Sequence, residues 1–418
     1  MRQKSVWISK LMVSFLIFTV LSEVALAQDD KSWKQRFEAY GFVKSDFWVD
    51  SRKVDGARDD LIVFYPKEPQ YDLAGNDLNA GLNANFSAIS TRLGLKINGT
   101  ELLHAKVMAL VEGDFTGVTN SDINGLRLRH AYIRMNWAND ELLLGQYWHP
   151  MFVPEVFPDI LSLNTGAPFQ PFIRNPQLSY RHFAGKIVLT AALIMQRDNS
   201  SDGPLGRSHL YMQEAGIPNS HLQLFYKNEN FVVGGALDHK MIRPLKVTAL
   251  NFENKQYLSS FSGMAFWKWK NKKSDVAMKA IFGQNLTEHL LLGGYAVASR
   301  DTLTGIEAYT PSNHLFLWGD MHYGQEFQWG LFAGYAKNFG TSSRNIGQYF
   351  GKGLNINQMF RVSPGITWRS GPLNLACELE WTAASFGHPD EFGKVKENSL
   401  THNVRLLLGA IYMFNNKL

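Results

Sequence analysis

The charged residues of this chain fall in a pattern that restricts the chemistry they can do. From Ser90 to Asn98, Arg92 and Lys96 share one parity, while Thr91, Leu93, Leu95 and Ile97 share the other. Successive side chains of an extended strand point to opposite faces. Arg92 and Lys96 therefore stand on one face of a strand whose other face is aliphatic. The next segment repeats the arrangement: Lys106, Glu112 and Asp114 alternate with Ala105, Val107, Ala109, Val111 and Gly113. Farther along, Arg181, Lys227, Lys268, Lys279, Arg361, Arg369 and Arg405 occupy the same kind of position, as do Asp46, Asp238, Glu378 and Glu380. Rows of fixed charge on the polar face of an otherwise apolar sheet create a field along a surface and not a reaction centre. The basic set is the larger, so a water-filled space lined by that face would favour anions.

Arg127 and Arg129 follow the same rule only in part. They share a parity with Ala131, Ile133, Met135 and Trp137, which have a lipid-facing character, whereas His130, Tyr132, Arg134 and Asn136 lie on the other face. Strict alternation fails here. Either a bulge reverses the face, or the strand stands at a subunit boundary. Two readings of the arginine pair stay open: a rim pair bound to lipid headgroups or loop carboxylates, and a pore-lining pair.

Nothing in the sequence suggests a nucleophile, a phosphate loop or a cofactor. There is no G-x-x-x-x-G-K-[ST], G-x-G-x-x-G, G-x-S-x-G or H-E-x-x-H motif. The 12 histidines show no compact ligand spacing, and Cys377 is the single cysteine, which excludes a disulfide within the chain. The formal charge of +5 is too small to imply nucleic acid as a partner.

These residues must be positioned by strands. Period-two alternation recurs in sixteen segments of about ten residues, from 37–50 to 400–414, the signature of membrane-crossing strands. Hydrophobic content is 45%, and aromatics make up 13%. That balance suits walls with one face in lipid and one in water. Connections alternate in length. Short ones are expected at Gly99-Thr100-Glu101, Ala138-Asn139-Asp140, Ala184, Asn228-Glu229, Asn271-Lys272-Lys273, Gly324-Gln325 and Ser370-Gly371. Long links fall at 51–85, 117–124, 150–173, 197–218, 241–255, 288–312, 340–357 and 386–399. The expected fold is all-β: a transmembrane antiparallel β-barrel of about 16 strands with short periplasmic turns and long external loops. Loop 150–173 carries five prolines and four phenylalanines. It is stiff enough to fold inward as a constriction, and an external cap is the other reading. At the N-terminus, basic Arg2, Lys4 and Lys10, the apolar run Leu11 to Leu21 and Ala25-Leu26-Ala27 predict a cleaved signal peptide over 1–27. The barrel would then occupy 28–418 as one domain of the bacterial outer membrane.

Ser90-Thr91-Arg92-Leu93-Gly94-Leu95, Val111-Glu112-Gly113-Asp114-Phe115, Leu126-Arg127-Leu128-Arg129-His130-Ala131-Tyr132 and Leu144-Gly145-Gln146-Tyr147-Trp148 resemble the DcaP-like porins in order and spacing. The resemblance covers roughly 86–149. It implies a sixteen-stranded trimeric porin that favours anionic solutes, dicarboxylates among them, with Arg92, Arg127 and Arg129 lining the pore. The N-terminal coiled coil of some members has no counterpart in Gln28 to Arg36, so a homotrimer would rest on the barrel walls. The expectation is a passive channel, not an enzyme, for small anionic hydrophilic solutes such as carboxylates. Its expected partners are those solutes, outer-membrane lipid and its own copies. A sugar- or phosphate-specific channel and an outer-membrane barrel enzyme are the alternatives.

Overall fold

A computed structural model describes residues 36–197 and 199–414; the expected signal peptide lies outside them. In chain order the strands are β1 (Phe37–Arg52), β2 (Val54–Ala57), β3 (Ile62–Pro66), β4 (Ala80–Ser87), β5 (Arg92–Leu102), β6 (Ala105–Asp114), β7 (Arg127–Asn136), β8 (Asp140–Trp148), β9 (Arg174–Ala184), β10 (Ile187–Ile194) and β11 (Asn219–Lys227). They continue with β12 (Phe231–Ile242), β13 (Leu258–Lys270), β14 (Ser274–Gln284), β15 (Gly293–Arg300), β16 (Glu307–Gly324), β17 (Phe327–Thr341), β18 (Tyr349–Lys352), β19 (Ile356–Ser370), β20 (Leu373–Pro389) and β21 (Val395–Phe414).

Antiparallel pairing runs round a complete circle. β1 pairs with β21 from Gly41↔Phe414 to Asp50↔Arg405. Its other edge takes β4 against its second half and β5 against its first. β4 and β5 thus fill one wall position, and the closed barrel has 16 strands. Closure removes the sheet edges that lipid could not hydrogen-bond. β2–β3 is a separate hairpin, while β15 and β18 extend the sheet beside the first residues of β16. No helix of the described residues is long and apolar enough to cross a membrane.

The alternation read from sequence is the alternation of the wall. In β10, Ile187, Leu189 and Leu193 point outward, while Val188, Thr190, Ala192 and Ile194 are buried. In β1, Val43 and Phe47 face out, and Lys44, Asp46, Trp48 and Asp50 face in. Outward Trp269, Tyr323, Phe327, Trp329, Trp368 and Tyr412 gather beside the short turns, forming an aromatic belt at one edge of the apolar band.

Three local readings need correction. The first short turn is not Gly99-Thr100-Glu101. β5 continues through it with an irregularity between Asn98 and Glu101, and the chain reverses at Leu103-His104, with φ of +52° and +59°. Both central residues of such a two-residue hairpin turn need positive φ. Here the pairing of Leu102 with Ala105 imposes it on residues that do not favour it. The turn expected at Ala184 falls at Gly185-Lys186, because Ala184 still pairs with Ile187. The last long link shrinks to 390–394, because β20 and β21 run on past the expected strand ends.

At Arg127–Arg129 a bulge reverses the face. Glu112 pairs with His130 and Gly113 with Leu128, so Arg129 is the extra residue. Arg127, Arg129 and His130 are all buried on the inner side.

Candidate functional site

The bulge puts three elements of charge in register. Asp114 and Glu112 project inward from β6, two residues apart. Arg127 clasps Asp114 through Nε to Oδ1 at 3.2 Å and Nη2 to Oδ2 at 2.7 Å. Arg129 donates through Nε to Glu112 Oε1 at 2.7 Å and through Nη1 to Asp114 Oδ2 at 2.9 Å. From β5, Arg92 Nε lies 3.5 Å from Glu112 Oε1, with its guanidinium over the Phe42 ring. Tyr40 donates its hydroxyl proton to Glu112 Oε2 at 3.0 Å. Such two-pronged, charge-assisted contacts fix the guanidinium planes.

A further arginine joins this layer from the first residue of β9. Arg174 is 2% exposed, and its Nε and Nη1 have no hydrogen-bond partner. Its guanidinium lies 4.5 Å from the Trp148 ring and 5.4 Å from the Phe172 ring. Among the described residues, Arg92, Arg127, Arg129 and Arg174 thus face Glu112 and Asp114 as their carboxylates, and the layer carries an excess of positive charge.

Above the layer opens a cavity of about 660 Å³ on the long-loop side. Arg127 and Arg174 form part of its floor. Arg58 of the first long loop, Arg197 and Arg207 of the fourth and Lys352 of β18 complete a ring of six cations. Asp55 is the one acidic residue among the described residues that line it. Ile62, Phe64, Phe172 and Leu290 supply apolar wall. The Lys352 ammonium sits 3.3 Å from the centre of the Phe64 ring. Burial there, with the Arg207 guanidinium nearby, pulls its pKa down to about 7.

The segment 149–173 lies inside the barrel and follows the inner wall. Lys279 of β14 donates to the carbonyls of Met151 and Phe152 at 3.1 and 2.8 Å. Asp159 N–H donates to Asp320 of β16 at 3.0 Å, and Leu161 N–H to Glu378 Oε2 of β20 at 2.7 Å. Lys44 of β1 donates to the Leu161 carbonyl at 2.6 Å. Trp318 Nε1 donates to Gln170 at 3.0 Å. Between these ties, Met151, Val153, Val156 and Phe169 pack against inward Phe225, Phe266, Ile281, Phe316, Phe332 and Met359. On this side the lumen is apolar, because the wall has a loop to hold.

The remaining sequence-predicted residues divide by partner. Lys96, paired with Glu38 at 3.9 Å, and Arg181, paired with Glu155 at 3.6 Å, keep some exposure on the inner face. Lys106 stands exposed near the short turns. Arg361 is fully buried. It donates to Thr382 Oγ1 at 2.9 Å, to the Ala167 carbonyl at 2.7 Å and to the Val63 carbonyl at 3.1 Å, and it lies 3.4 Å from Glu380. Arg405 clasps Asp50 at 2.8 and 2.6 Å and reaches the Asp60 carbonyl at 2.8 Å. These two arginines tie the inner loop and the β2–β3 hairpin to the wall. Arg58, Arg197, Arg207 and Lys352 were not singled out from sequence. They lie in loops or a four-residue strand, where no periodicity marks a face.

With this geometry in view, the chain is similar to solved outer-membrane barrels, of which three illustrate the range. The DcaP outer membrane channel of Acinetobacter baumannii matches with a TM-score of 0.65 at 16% identity, over 90% of this chain and 97% of that one. The trimer form of in-vitro folded OmpT, an outer membrane protein of Vibrio cholerae, matches at 0.53 and 10% identity, over 90% and 99%. An anion-selective porin from Comamonas acidovorans matches at 0.52 and 11%, over 90% and 99%. No family model matches the sequence, and no curated protein does. The resemblance first read from residues 86–149 thus extends, as a likeness of fold, round the whole barrel: the chain has the architecture of the outer-membrane porins.

Proposed function

We propose that this protein is a passive outer-membrane channel through which small anionic hydrophilic solutes such as carboxylates diffuse, with segment 149–173 as its constriction and the arginine layer of β5, β7 and β9 as its selectivity element. The observation that carries this reading is the cavity above that layer, whose described lining holds six cations and one acid, Asp55, with Arg127 and Arg207 also paired to Asp114 and Asp202. Cations facing a narrow space with low-dielectric walls raise the local concentration of anions and slow cations. The hydrogen bonds of 149–173 run to β14, β16, β19, β20 and β1, and an ion pair between Glu155 and Arg181 reaches β9, so the segment narrows the lumen beside the arginine layer.

The channel reading also draws on the porin fold of the neighbours. The trimer form of one of them supports a homotrimer here, assembled through barrel walls in lipid. Phosphate would meet the same guanidiniums, so a phosphate-specific channel is the second reading.

Single-channel recording in planar bilayers under a salt gradient tests the proposal. Conductance steps with an anion-selective reversal potential are expected. Addition of a dicarboxylate should reduce the chloride current more than equimolar phosphate does. Folded, inserted protein without conductance would overturn the channel reading. Cation-selective reversal would overturn the anion reading alone.

A further inference from the structure

On the far side of Trp148 from the arginine layer, the chain turns into the inner loop and the fold assembles a second polar cluster. His149 opens the inner loop, His221 projects inward from β11 and Asp238 from β12. Their relative exposures are 2%, 3% and 6%. One ligand atom from each lies within 4.8 Å of the others. His221 Nδ1 is 3.0 Å from Asp238 Oδ2, and His149 Nε2 is 3.8 Å from the same oxygen. We propose that His149, His221 and Asp238 bind a single divalent transition-metal ion of the zinc type, which pins the start of the inner loop to the barrel wall.

The donor set is the first support. Two imidazoles and a carboxylate suit zinc and its neighbours, whose bonds to nitrogen and oxygen are about 2.0–2.2 Å. Ligand atoms around such an ion stand a little over 3 Å apart, and the contacts at 3.0 and 3.8 Å bracket that spacing.

Proton placement is the second. Both ring nitrogens of His221 face acceptors: Nδ1 faces Asp238, and Nε2 lies 3.3 Å from Gln223 Oε1. A neutral ring has one proton and can satisfy one of them. A metal ion on Nδ1 with the proton on Nε2 satisfies both, and Gln223 becomes the outer partner that metal-bound histidines ordinarily have. At His149, coordination through Nε2 leaves the ring proton on Nδ1 and gives up a long 3.3 Å contact from Met151 N–H. The contact is weak; the Asn219 amide, 3.3 Å from His149 Nε2 and 2.9 Å from Asp238 Oδ2, turns aside to admit the ion.

The third support is an unpartnered group beside the cluster. His289 stands in the short 3₁₀ turn Thr287–His289. It is 1% exposed, and its Nδ1 has no hydrogen-bond partner. Its ring centre is 4.5 Å from that of His149. It brings an imidazole of a second loop to the edge of the site, as a candidate fourth ligand. On binding, the single ring proton of His221 sits on Nε2, toward Gln223, and the ion takes its place between Nδ1 and Asp238.

The test uses the full, detergent-solubilised barrel, stripped with a chelator and given one equivalent of Zn²⁺ or Co²⁺. Elemental analysis after gel filtration should find one metal per chain, and Co²⁺ should show the strong visible absorption of a low-symmetry four-coordinate site. His149→Gln, His221→Gln and Asp238→Asn should each weaken retention at least tenfold. Heat-modifiable mobility on electrophoresis shows which variants still form the barrel. His149→Gln leaves every strand residue in place and guards against misfolding of the other two. A folded barrel that retains no metal, or one whose retention is undiminished in folded His149→Gln, overturns the site and leaves a proton-bridged network in its place. Metal retention is read without any current, so this result and the channel result stand apart.

Discussion

Arg127 and Asp114 meet across β7 and β6 in a two-pronged ion pair, with Nη2 to Oδ2 at 2.7 Å and Nε to Oδ1 at 3.2 Å. The pair forms only because Arg129 is an extra residue on its strand. Without the bulge, either the arginines or the His130-Tyr132-Arg134 series would face lipid. Asp114 also receives Arg129 at 2.9 Å, so one carboxylate sets the planes of two guanidiniums. Arg174, beside them, holds its charge without such a clasp.

That difference separates two substitutions. Arg174→Ala removes a cation that breaks no ion pair. Conductance should persist while the anion-to-cation permeability ratio falls several-fold. Arg127→Ala should lower the ratio too, but it leaves Asp114 less neutralised and so should also admit more cations. Reversal potentials under a salt gradient measure both. Wild-type selectivity in a folded Arg174→Ala channel would remove this arginine from the path. The preference should fade between 0.1 and 1 M salt, since the screening length falls from about 10 Å to about 3 Å.

Arg405 and Lys106 were grouped on sequence, yet the structure predicts different stability effects. Arg405 and Asp50 are both buried, and each satisfies the other. Removing one partner of such a pair leaves an uncompensated buried charge and costs about 3–5 kcal/mol. Arg405→Ala should therefore lower the urea midpoint of the detergent-solubilised barrel and loosen the β2–β3 hairpin. Lys106 is exposed, and Lys106→Ala should stay within about 0.5 kcal/mol. Equal midpoints for the two variants would refute the assignment.

The barrel itself was legible in the chain. Each of the sixteen segments read from alternation overlaps a wall strand, because a one-residue slip would turn every aliphatic side chain into the lumen. The bulge at Arg129 was visible as a broken alternation, though its outcome was not. The cation ring was illegible because Arg58, Arg197 and Arg207 lie in loops, whose positions depend on which wall they dock against. His149, His221, Asp238 and His289 are scattered over 140 positions. Only the path of the inner loop and the fold of the sixth long link bring them together. Sequence spacing therefore carried no trace of them.

Lys352 gives the selectivity a pH dependence. It lies in β18, among the external loops, and burial with a neighbouring Arg207 lowers its pKa to about 7. The sign follows directly. Below that value the side chain is charged and adds to the ring; above it the ring loses one cation. Anion preference should be higher at pH 6 than at pH 8.5. Lys352→Met should show the lower preference at both values and abolish the slope between them. Reversal potentials recorded across this range check the expectation, and a flat wild-type profile would refute it.

The inner loop is seated on glycines, and this makes its constricting role testable. At Gly334 of β17 an added Cβ would stand 2.6 Å from the Phe169 ring, and at Gly409 of β21 it would stand 2.5 Å from Leu161 Cδ1. Contacts so short force one partner to move. Neither glycine has a positive φ, so a larger side chain strains the packing and not the backbone. Gly334→Val should displace Phe169 from the apolar wall it shares with Phe332 and Met359, and so free part of the loop. A changed single-channel conductance with more open-state noise is expected, with the barrel still folded by heat-modifiable mobility. Gly371→Ala, in a short turn where nothing lies within 4 Å of the added atom, controls for loss of a glycine without a clash; any cost there comes from its φ of +58°. If Gly334→Val and Gly371→Ala conduct alike, with wild-type amplitude and noise, segment 149–173 does not set the width of the path.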